Sequence, residues 1–352
     1  MPSEKELSIL AFTNNTASTY WRFNGIADRI NKRTPHAMFV TPFASWNGET
    51  EGADLVVLEQ LTGVEVVNIC HRKGAKVIFE ADDAMLDSYG QERKNLQRVI
   101  GQFKSNAIET IKLCDALTVT SDVLKKNYER FTKKPIYVLP NYLDLDWYGD
   151  EPLHIQRTTD EIRLGWFGSK GHFEDLREIM PVLKKLIDKY PNLRLVYCGY
   201  GGFSSDRLMT EVGWGEDVFK EIPRERREYY LAVPPDYWPI KHKLLDLDIG
   251  IAPLKDDYFN TCKTNIKYLE YSILRTPTVC SNVLYGEVVK HGETGFLAKT
   301  PDEWEKYLSM LIEDSKLRKT IGKAAQHYVK KKWDVELHWE KWLNAYKEVL
   351  GL

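Results

Sequence analysis

The chain is predicted to be an α/β protein made of two facing Rossmann-like domains, each a parallel sheet with helices on both faces. Three observations lead to this prediction. Short apolar strands alternate with helical stretches along the first half, as in parallel sheets joined by crossover helices. The alternation starts again after a polar stretch at residues 149–161. The length of 352 residues also exceeds what one hydrophobic core usually supports.

In the first half, apolar runs of strand length are separated by stretches whose apolar residues recur three and four apart, the spacing of a helix. Strands are predicted at residues 7–12, 37–40, 55–58, 76–80, 116–120 and 136–140. Helices are predicted at residues 20–31, 64–72 and 95–112.

The second half repeats the pattern with one long irregular region at residues 199–239, rich in Gly, Pro and aromatic residues. Strands are predicted at residues 162–168, 193–199 and 248–254, and from Pro277 onward. Helices are predicted at residues 175–190, 241–246, after 260, and throughout 301–352. Two short basic runs, 224–227 and 241–243, are interpreted as solvated faces.

Composition narrows the class of protein. A hydrophobic fraction of 43% with 28% charged residues is ordinary for a globular protein, and a net charge of −2 gives no global attraction to nucleic acid or anionic lipid. No apolar run approaches the length of a transmembrane segment, and the N-terminus does not resemble a signal peptide. The five scattered cysteines predict a reduced, cytoplasmic protein, with peripheral membrane association left open.

The most informative stretch runs from Asp248 to Gly295. Within it, Lys263, Lys267 and Glu270 are spaced by four and three residues, which predicts one face of a helix. Two ammonium groups near a helix N-terminus make a site for a diphosphate, and a carboxylate one turn deeper accepts hydrogen bonds from sugar or ribose hydroxyls. The plain alternative is a pair of solvated lysines.

The loop before this helix is interpreted as its cap. Asn260 and Thr261 are typical helix-capping residues. That interpretation leaves Thr264 as the hydroxyl closest to the phosphates.

The same stretch resembles the nucleotide-binding half of GT-B glycosyltransferases, above all the retaining enzymes of family 4. Glu270 matches the second Glu of their Glu-x(7)-Glu signature, whereas Cys262 stands in place of the first. The pattern is closer to a subgroup with Lys-Ser/Thr-x-x-Lys-x-x-Glu-Tyr. The resemblance implies an acceptor-binding domain at 1–155, a nucleotide-sugar-binding domain at 156–330, and a C-terminal helix at 331–352 that crosses back to the first domain.

A second candidate donor contact follows the first strand of the second half. Gly168, Ser169 and Lys170 suit a phosphate-binding turn, because small residues let backbone N–H groups approach and the lysine adds charge. For His172, a donor contact and a helix-start residue are both open. Tyr237 is a candidate to stack on the nucleotide base, with packing as the alternative.

In the first half, Glu80, Asp82 and Asp83 follow an apolar strand. Carboxylates there would accept hydrogen bonds from acceptor hydroxyls, or act as a general base if the reaction inverts the anomeric centre. Coordination of Mg²⁺ is a third possibility and a helix cap with a turn is the plain one. The resemblance implies that no metal and no cofactor is required.

The loop after the first strand carries Thr16, Ser18 and Arg22, which suit a polyhydroxylated or phosphorylated acceptor. Helix capping by Ser18 or Thr19 is the alternative.

The resulting hypothesis is a glycosyltransferase, hexosyl or pentosyl, that moves a sugar from a nucleoside diphosphate sugar, with UDP or GDP, to a hydroxyl with retention. Lys263, Lys267, Asp82 and Asp83 are its predicted catalytic residues. The acceptor is expected to be a glycan or lipid-linked glycan. Glycosylation of hydroxymethylated pyrimidines in DNA and a non-catalytic nucleotide-sugar binder are the alternatives. A nicotinamide dehydrogenase ranks low because the GxGxxG fingerprint is absent after the first strand of each half.

Overall fold

The structure is a computed structural model that describes residues 5–14, 17–46, 48–50, 52–60, 63–88, 97–153, 155–168, 172–199 and 216–352. The chain forms two compact units, each built around a six-stranded sheet. The first unit comprises Met1–Asp144, Thr261–Thr264 and Asp334–Leu352, and the second comprises Leu145–Asn260 and Asn265–Trp333.

The first sheet has the order β2-β1-β3-β4-β5-β6, and its neighbouring strands pair in parallel. Its strands are β1 Ser8–Thr13, β2 Ala37–Pro42, β3 Leu55–Glu59, β4 Lys76–Ala81, β5 Ala116–Val119 and β6 Ile136–Val138. Its helices are α1 Ala17–Thr19, α2 Gly25–Arg33, α3 Val64–Arg72, α4 Met85–Ser88, α5 Gln97–Leu113 and α6 Asp122–Tyr128, with a π-helical turn at Tyr20–Asn24.

The second sheet has the order β12-β11-β10-β7-β8-β9 and is also parallel. Its strands are β7 Ile162–Gly168, β8 Leu193–Gly199, β9 Arg227–Leu231, β10 Ile249–Ala252, β11 Thr278–Ser281 and β12 Phe296–Ala298. Its helices are α7 Leu145–Tyr148, α8 Phe173–Lys189, α9 Glu216–Phe219, α10 Trp238–Leu245, α11 Tyr258–Thr261, α12 Ile266–Ile273, α13 Asn282–Tyr285, α14 Pro301–Glu313 and α15 Ser315–Lys332.

The last helix, α16 (Trp339–Leu350), belongs to the first unit. Its Trp342 is 1% exposed and packs edge-on against Phe23, with 6.4 Å between ring centroids. The Arg22 guanidinium lies over the Trp342 ring at 4.2 Å. The prediction of two Rossmann-like domains with a C-terminal helix that returns to the first is confirmed.

The irregular region predicted at 199–239 contains a strand that the sequence analysis missed. Strand β9 extends the second sheet beside β8, and the Arg226 side chain before it donates hydrogen bonds of 2.6 and 2.8 Å to the carbonyls of Tyr190 and Leu193. His242, in the other basic run, is 2% exposed. The interpretation of both runs as solvated faces is therefore wrong for these two residues, since each has polar partners or ring contacts inside the unit.

The prediction that residues 301–352 are helical throughout is also wrong, because two interruptions divide this segment into three α-helices. The Asp314 side chain accepts hydrogen bonds from the N–H groups of Lys316 and Leu317 at 2.8 and 2.9 Å, so it begins a new helix as an N-cap. A second interruption separates Lys332 from Trp339. Within the described residues, the helices are too short or too polar to cross a membrane.

Candidate functional site

In the second unit, the carboxyl end of β7 carries a cluster of polar side chains. The Lys267 Nζ atom lies 3.2 Å from Nε2 of His172, the residue that precedes α8. Helix α12 places Lys267 on its first turn and Glu270 one turn later. The first backbone N–H groups of α8 and α12 have no acceptor within their own helix, which favours an anion at this cluster.

Gly168 ends β7 beside this cluster and has no room for a side chain. A Cβ atom there would lie 2.8 Å from Cζ2 of Trp166 and 3.4 Å from Nζ of Lys267. The backbone at this position therefore approaches the ammonium group closely, as a phosphate-binding turn requires.

Glu270 is 4% exposed and is held by an indole. The Trp238 Nε1–H group donates to Oε1 of Glu270 at 2.6 Å. Trp238 is itself stacked on His242 at 5.5 Å between ring centroids, and its ring meets Phe167 edge-on at 5.0 Å. The carboxyl group thus lies in an aromatic environment with one strong donor.

This environment sets the ionisation of Glu270. Burial raises the pKa of its carboxyl to about 8, against the opposing effects of the Trp238 hydrogen bond and the Lys267 charge. A carboxyl with this pKa is mostly protonated at neutral pH, and hydrogen-bond donors from a ligand would favour its charged form.

Asp175, on the first turn of α8, connects this cluster to the loop after β10. Its Oδ2 atom lies 2.7 Å from Nδ1 of His172, and its Oδ1 accepts from Nδ2 of Asn260 at 2.8 Å. Asn260 is 4% exposed and lies within α11, so it acts as an internal tie. The prediction that it caps the helix of Lys267 is wrong, because the N-cap of α12 is Asn265.

Lys263 does not share the helix face of Lys267 and Glu270. Helix α12 begins at Ile266, so Lys263 and Thr264 precede it, in a segment that groups with the first unit. The spacing argument was wrong here because the turn between α11 and α12 breaks the helical repeat. In the first unit, the Lys263 Nζ atom lies 3.8 Å from Oδ2 of Asp83.

The remaining donor-site predictions are placed as follows. Tyr237 lies in a 3-10 turn and is 61% exposed, which leaves its ring accessible to a ligand. Ser169 and Lys170 lie outside the described residues, as does Thr16, which was predicted to bind the acceptor.

In the first unit, Arg22 and Glu80 form an internal ion pair. Both side chains are 0% exposed, and Nε of Arg22 donates to Oε1 of Glu80 at 2.7 Å. Arg22 also donates to Oδ1 of Asn141 at 2.9 Å. Since the pair has no exposed surface, neither side chain is placed to contact a ligand directly, as the sequence analysis had predicted for both.

Ser18 is held by a residue that the sequence analysis did not single out. Its Oγ donates to Oε1 of Glu59 at 2.6 Å, and Oγ1 of Thr19 donates to Oε2 at 2.9 Å. The backbone N–H of Asn14 donates to Oε2 at 3.1 Å. Glu59, 1% exposed, therefore fixes the loop after β1.

Asp82 and Asp83 follow β4 and are half-buried. The side chain of Gln60 donates to Oδ1 of Asp82. Burial, and then the charges of Asp83 and Glu59, raise the pKa of Asp82 to about 8. Gln60 adopts a left-handed backbone conformation, with φ of 49°, which is unusual for a residue with a side chain.

Two of the missed residues had different signals in the sequence. Glu59 is the last residue of the buried strand β3, and Glu80 is the last but one of β4. A search for carboxylates at the carboxyl ends of apolar strands, which finds Glu80, therefore also finds Glu59. Trp238 had no local signal as a partner of Glu270, because the two residues are 32 positions apart. Among the described residues, no group of three or more His, Cys, Asp or Glu is placed to hold a metal ion.

Two parallel six-stranded Rossmann-like units, with the C-terminal helix returned to the first, are the architecture of GT-B glycosyltransferases. Sucrose-phosphate synthase of Thermosynechococcus elongatus has this architecture and matches with a TM-score of 0.70 at 13% identity, over 98% of this chain and 100% of the other. Anabaena HepE, in complex with UDP-glucose, matches with a TM-score of 0.62 at 13% identity, over 97% and 100% of the two chains. Likeness at such identities shows the fold alone.

In sequence, the chain is similar to the capsular polysaccharide biosynthesis glycosyltransferase CapM of Staphylococcus aureus. The two are 23% identical over 200 residues, which is 54% of this chain and 47% of CapM. The match thus spans about half the length of that relative. No family model matches the chain.

Proposed function

We propose that the chain is a glycosyltransferase that moves a sugar from a nucleoside diphosphate sugar to an acceptor hydroxyl. The observation that carries this proposal is the cluster at the end of β7, where Lys267 lies beside Gly168 and His172 with Glu270 on the same helix. The ammonium group suits a diphosphate, and the buried carboxyl group of Glu270, which hydrogen-bond donors convert to its charged form, suits ribose hydroxyls. The similarity to CapM, and the fold shared with a UDP-glucose complex, support the same reaction class.

The chemistry follows from the charge that develops on the leaving diphosphate. Lys267, together with Lys263 and Lys170 as further proposed contacts, would stabilise that charge at a fixed position. Oε1 of Glu270 is held by Trp238, so Oε2 is the oxygen that we propose for the ribose. Thr264 and Ser169 are proposed as hydroxyl donors to the phosphates, and Tyr237 as the contact to the base.

For the acceptor, we propose a glycan or lipid-linked glycan whose hydroxyls donate to Asp82 and Asp83. Glu59 would hold the loop that contains Ser18 through its hydrogen bond to that residue. The buried ion pair of Arg22 and Glu80 would fix the helical turn that follows the loop. We further propose transfer with retention of anomeric configuration, on the resemblance of the Glu270 segment, and a UDP- or GDP-sugar as donor.

A thermal-shift screen against UDP-, GDP-, ADP- and CMP-sugars, with and without Mg²⁺, tests the donor. A ligand at about 100 times its dissociation constant adds about 2.7 kcal/mol of stability, a shift of several degrees. The selected donor is then incubated with candidate glycans, and the anomeric configuration of the product is read by NMR. If no nucleotide sugar shifts the transition, the proposal is wrong. Binding without transfer or donor hydrolysis would leave a sugar-nucleotide binder instead.

A further inference from the structure

Lys267, His172 and Asp175 form one continuous hydrogen-bonded chain in the second unit. Lys267 Nζ lies 3.2 Å from His172 Nε2, and His172 Nδ1 lies 2.7 Å from Asp175 Oδ2. The His172 and Asp175 side chains are 13% and 5% exposed. This series of hydrogen bonds therefore runs from the candidate diphosphate site into the interior of the unit.

Asp175, the buried end of this hydrogen-bonded series, is held by residues that follow β10. Asp175 lies on α8, and its Oδ1 accepts from the backbone N–H of Lys255 at 2.9 Å and from Asn260 Nδ2 at 2.8 Å. Asn260 also donates to the Lys255 carbonyl at 3.0 Å. With both carboxylate oxygens bonded, Asp175 cannot rotate without breaking contacts to the loop after β10.

The donors and acceptors of the hydrogen bonds that link Lys267, His172 and Asp175 can be assigned. Burial opposes ionisation of Asp175, but hydrogen bonds from His172, Lys255 and Asn260 outweigh it and lower the pKa of the carboxyl. An ionised carboxylate only accepts, so Nδ1 of His172 carries the proton. The Lys267 ammonium has only donors, so its 3.2 Å contact to Nε2 requires that nitrogen to be an unprotonated acceptor, and the ring is neutral.

We propose that His172 and Asp175 are positioning residues that hold the Lys267 ammonium beside Gly168 before the diphosphate arrives. A lysine ammonium sits on a flexible four-carbon stem, and binding is weaker when the stem must be ordered at the same time. The proposal rests on the function proposed above, because it requires Lys267 to contact the diphosphate. It adds a pair of residues that act through Lys267 and need not touch the ligand.

Two substitutions of His172 test its hydrogen bond to Lys267 separately from its hydrogen bond to Asp175. His172→Gln places a carbonyl oxygen near the position of Nε2 and keeps an acceptor for Lys267. His172→Asn places its amide near Nδ1, so it keeps a donor for Asp175 and loses the acceptor for Lys267. We expect His172→Asn to weaken UDP binding about tenfold, the effect of one hydrogen bond to a charged group, and His172→Gln to restore most of that loss. Calorimetric titration with UDP measures both.

A double-mutant cycle tests whether the effect passes through Lys267. We expect Lys267→Met to weaken UDP binding and His172→Asn to add little in that background, since the bond that it removes is already gone. His71→Asn is the matched control, because His71 is paired with Asp115 at 2.9 Å in the first unit and should leave UDP affinity unchanged. Fully additive losses, or wild-type affinity in His172→Asn, would overturn the positioning role.

A measurement on the unaltered protein covers the case in which a variant does not fold. ¹⁵N NMR of the histidine rings should show His172 protonated at Nδ1 and unprotonated at Nε2 at neutral pH. A proton on Nε2 of a neutral ring would overturn the proposal. Failure of the wild-type protein to bind any of the UDP-, GDP-, ADP- and CMP-sugars would instead overturn the proposed function, which keeps the two outcomes distinct.

Discussion

The indole of Trp238 donates a hydrogen bond of 2.6 Å to the buried carboxyl of Glu270, and the two residues are 32 positions apart. This one contact joins the start of α10 to α12 and holds the carboxyl in a surrounding of rings. The hydrogen bond gives the Glu270 carboxyl a polar partner inside the unit, which explains how a polar side chain can be buried there. It also makes the ionisation of Glu270 a property that experiments can follow.

The stability of the protein should depend on pH through Glu270. Its pKa is raised from 4.5 to about 8 on folding, so the folded state binds the proton more tightly than the unfolded state. The free energy of unfolding should therefore fall as pH rises from about 4.5 to 8, by an amount on the order of a few kcal/mol.

Urea unfolding at pH 5 and pH 9 measures this effect. In Glu270→Gln the difference between the two pH values should shrink, whereas substitution of the exposed Glu293 by Gln should leave it as in wild type. An identical pH dependence in wild type and Glu270→Gln would contradict the raised pKa.

Nucleotide binding at pH 7 should release protons. If ribose hydroxyls donate to Glu270, they favour the charged carboxylate and lower a pKa that is about 8 without ligand. Titration calorimetry with UDP in buffers of different ionisation enthalpy should show release of roughly one proton at pH 7 and little at pH 9.5. Glu270→Gln should lack this release. Equal release in that variant would place the ribose elsewhere.

Breaking the internal ion pair of the first unit should be strongly destabilising. Arg22→Met leaves Glu80 buried with no guanidinium, and we expect a loss of about 3–5 kcal/mol in the free energy of unfolding. The double variant Arg22→Met, Glu80→Leu should regain part of that loss, because it removes the orphaned charge too. Denaturant titration checks both. A loss below about 1 kcal/mol in Arg22→Met would show that the pair is weakly coupled to folding.

Gly322 allows α15 to lie directly against the end of α12. A Cβ atom at this position would be 2.0 Å from the backbone oxygen of Arg275, which cannot rotate away. Gly322→Ala should therefore lower the free energy of unfolding by about 1–3 kcal/mol or more. Gly286→Ala is the matched control, since its Cβ would meet nothing closer than 3.6 Å. Equal melting temperatures for the two variants would be inconsistent with this packing.

Asp82 should titrate near pH 8. Burial is the main cause of its raised pKa, and the charges of Asp83 and Glu59 add to it. Carboxyl ¹³C NMR should place its midpoint close to that pH in wild type and lower in Glu59→Gln, where one of the charges is removed. The exposed Glu129 provides a control substitution, Glu129→Gln, that should leave the midpoint unchanged. A wild-type midpoint near 4 would contradict both the burial of this carboxyl and the effect of the neighbouring charges.

Much of this protein is determined by its sequence alone. Strands such as β7 and β8 are mostly apolar, with one arginine each, and the helix between them carries apolar residues at helical spacing, so a parallel α/β fold follows from local pattern. The carboxyl ends of these strands are where Gly168, His172, Lys267 and Glu270 were expected, and the structure brings them to one end of one sheet.

Only the tertiary structure decided which polar groups pair and which are buried. Asp175 and Asn260 meet across 85 positions, and Arg22 reaches Asn141 across 119. Lys263 left the helix face predicted for it because a turn interrupts the repeat. Local pattern records the period of a helix or strand, but burial and hydrogen-bond partners depend on which elements pack together. Those contacts are long-range in sequence, and no spacing along the chain specifies them.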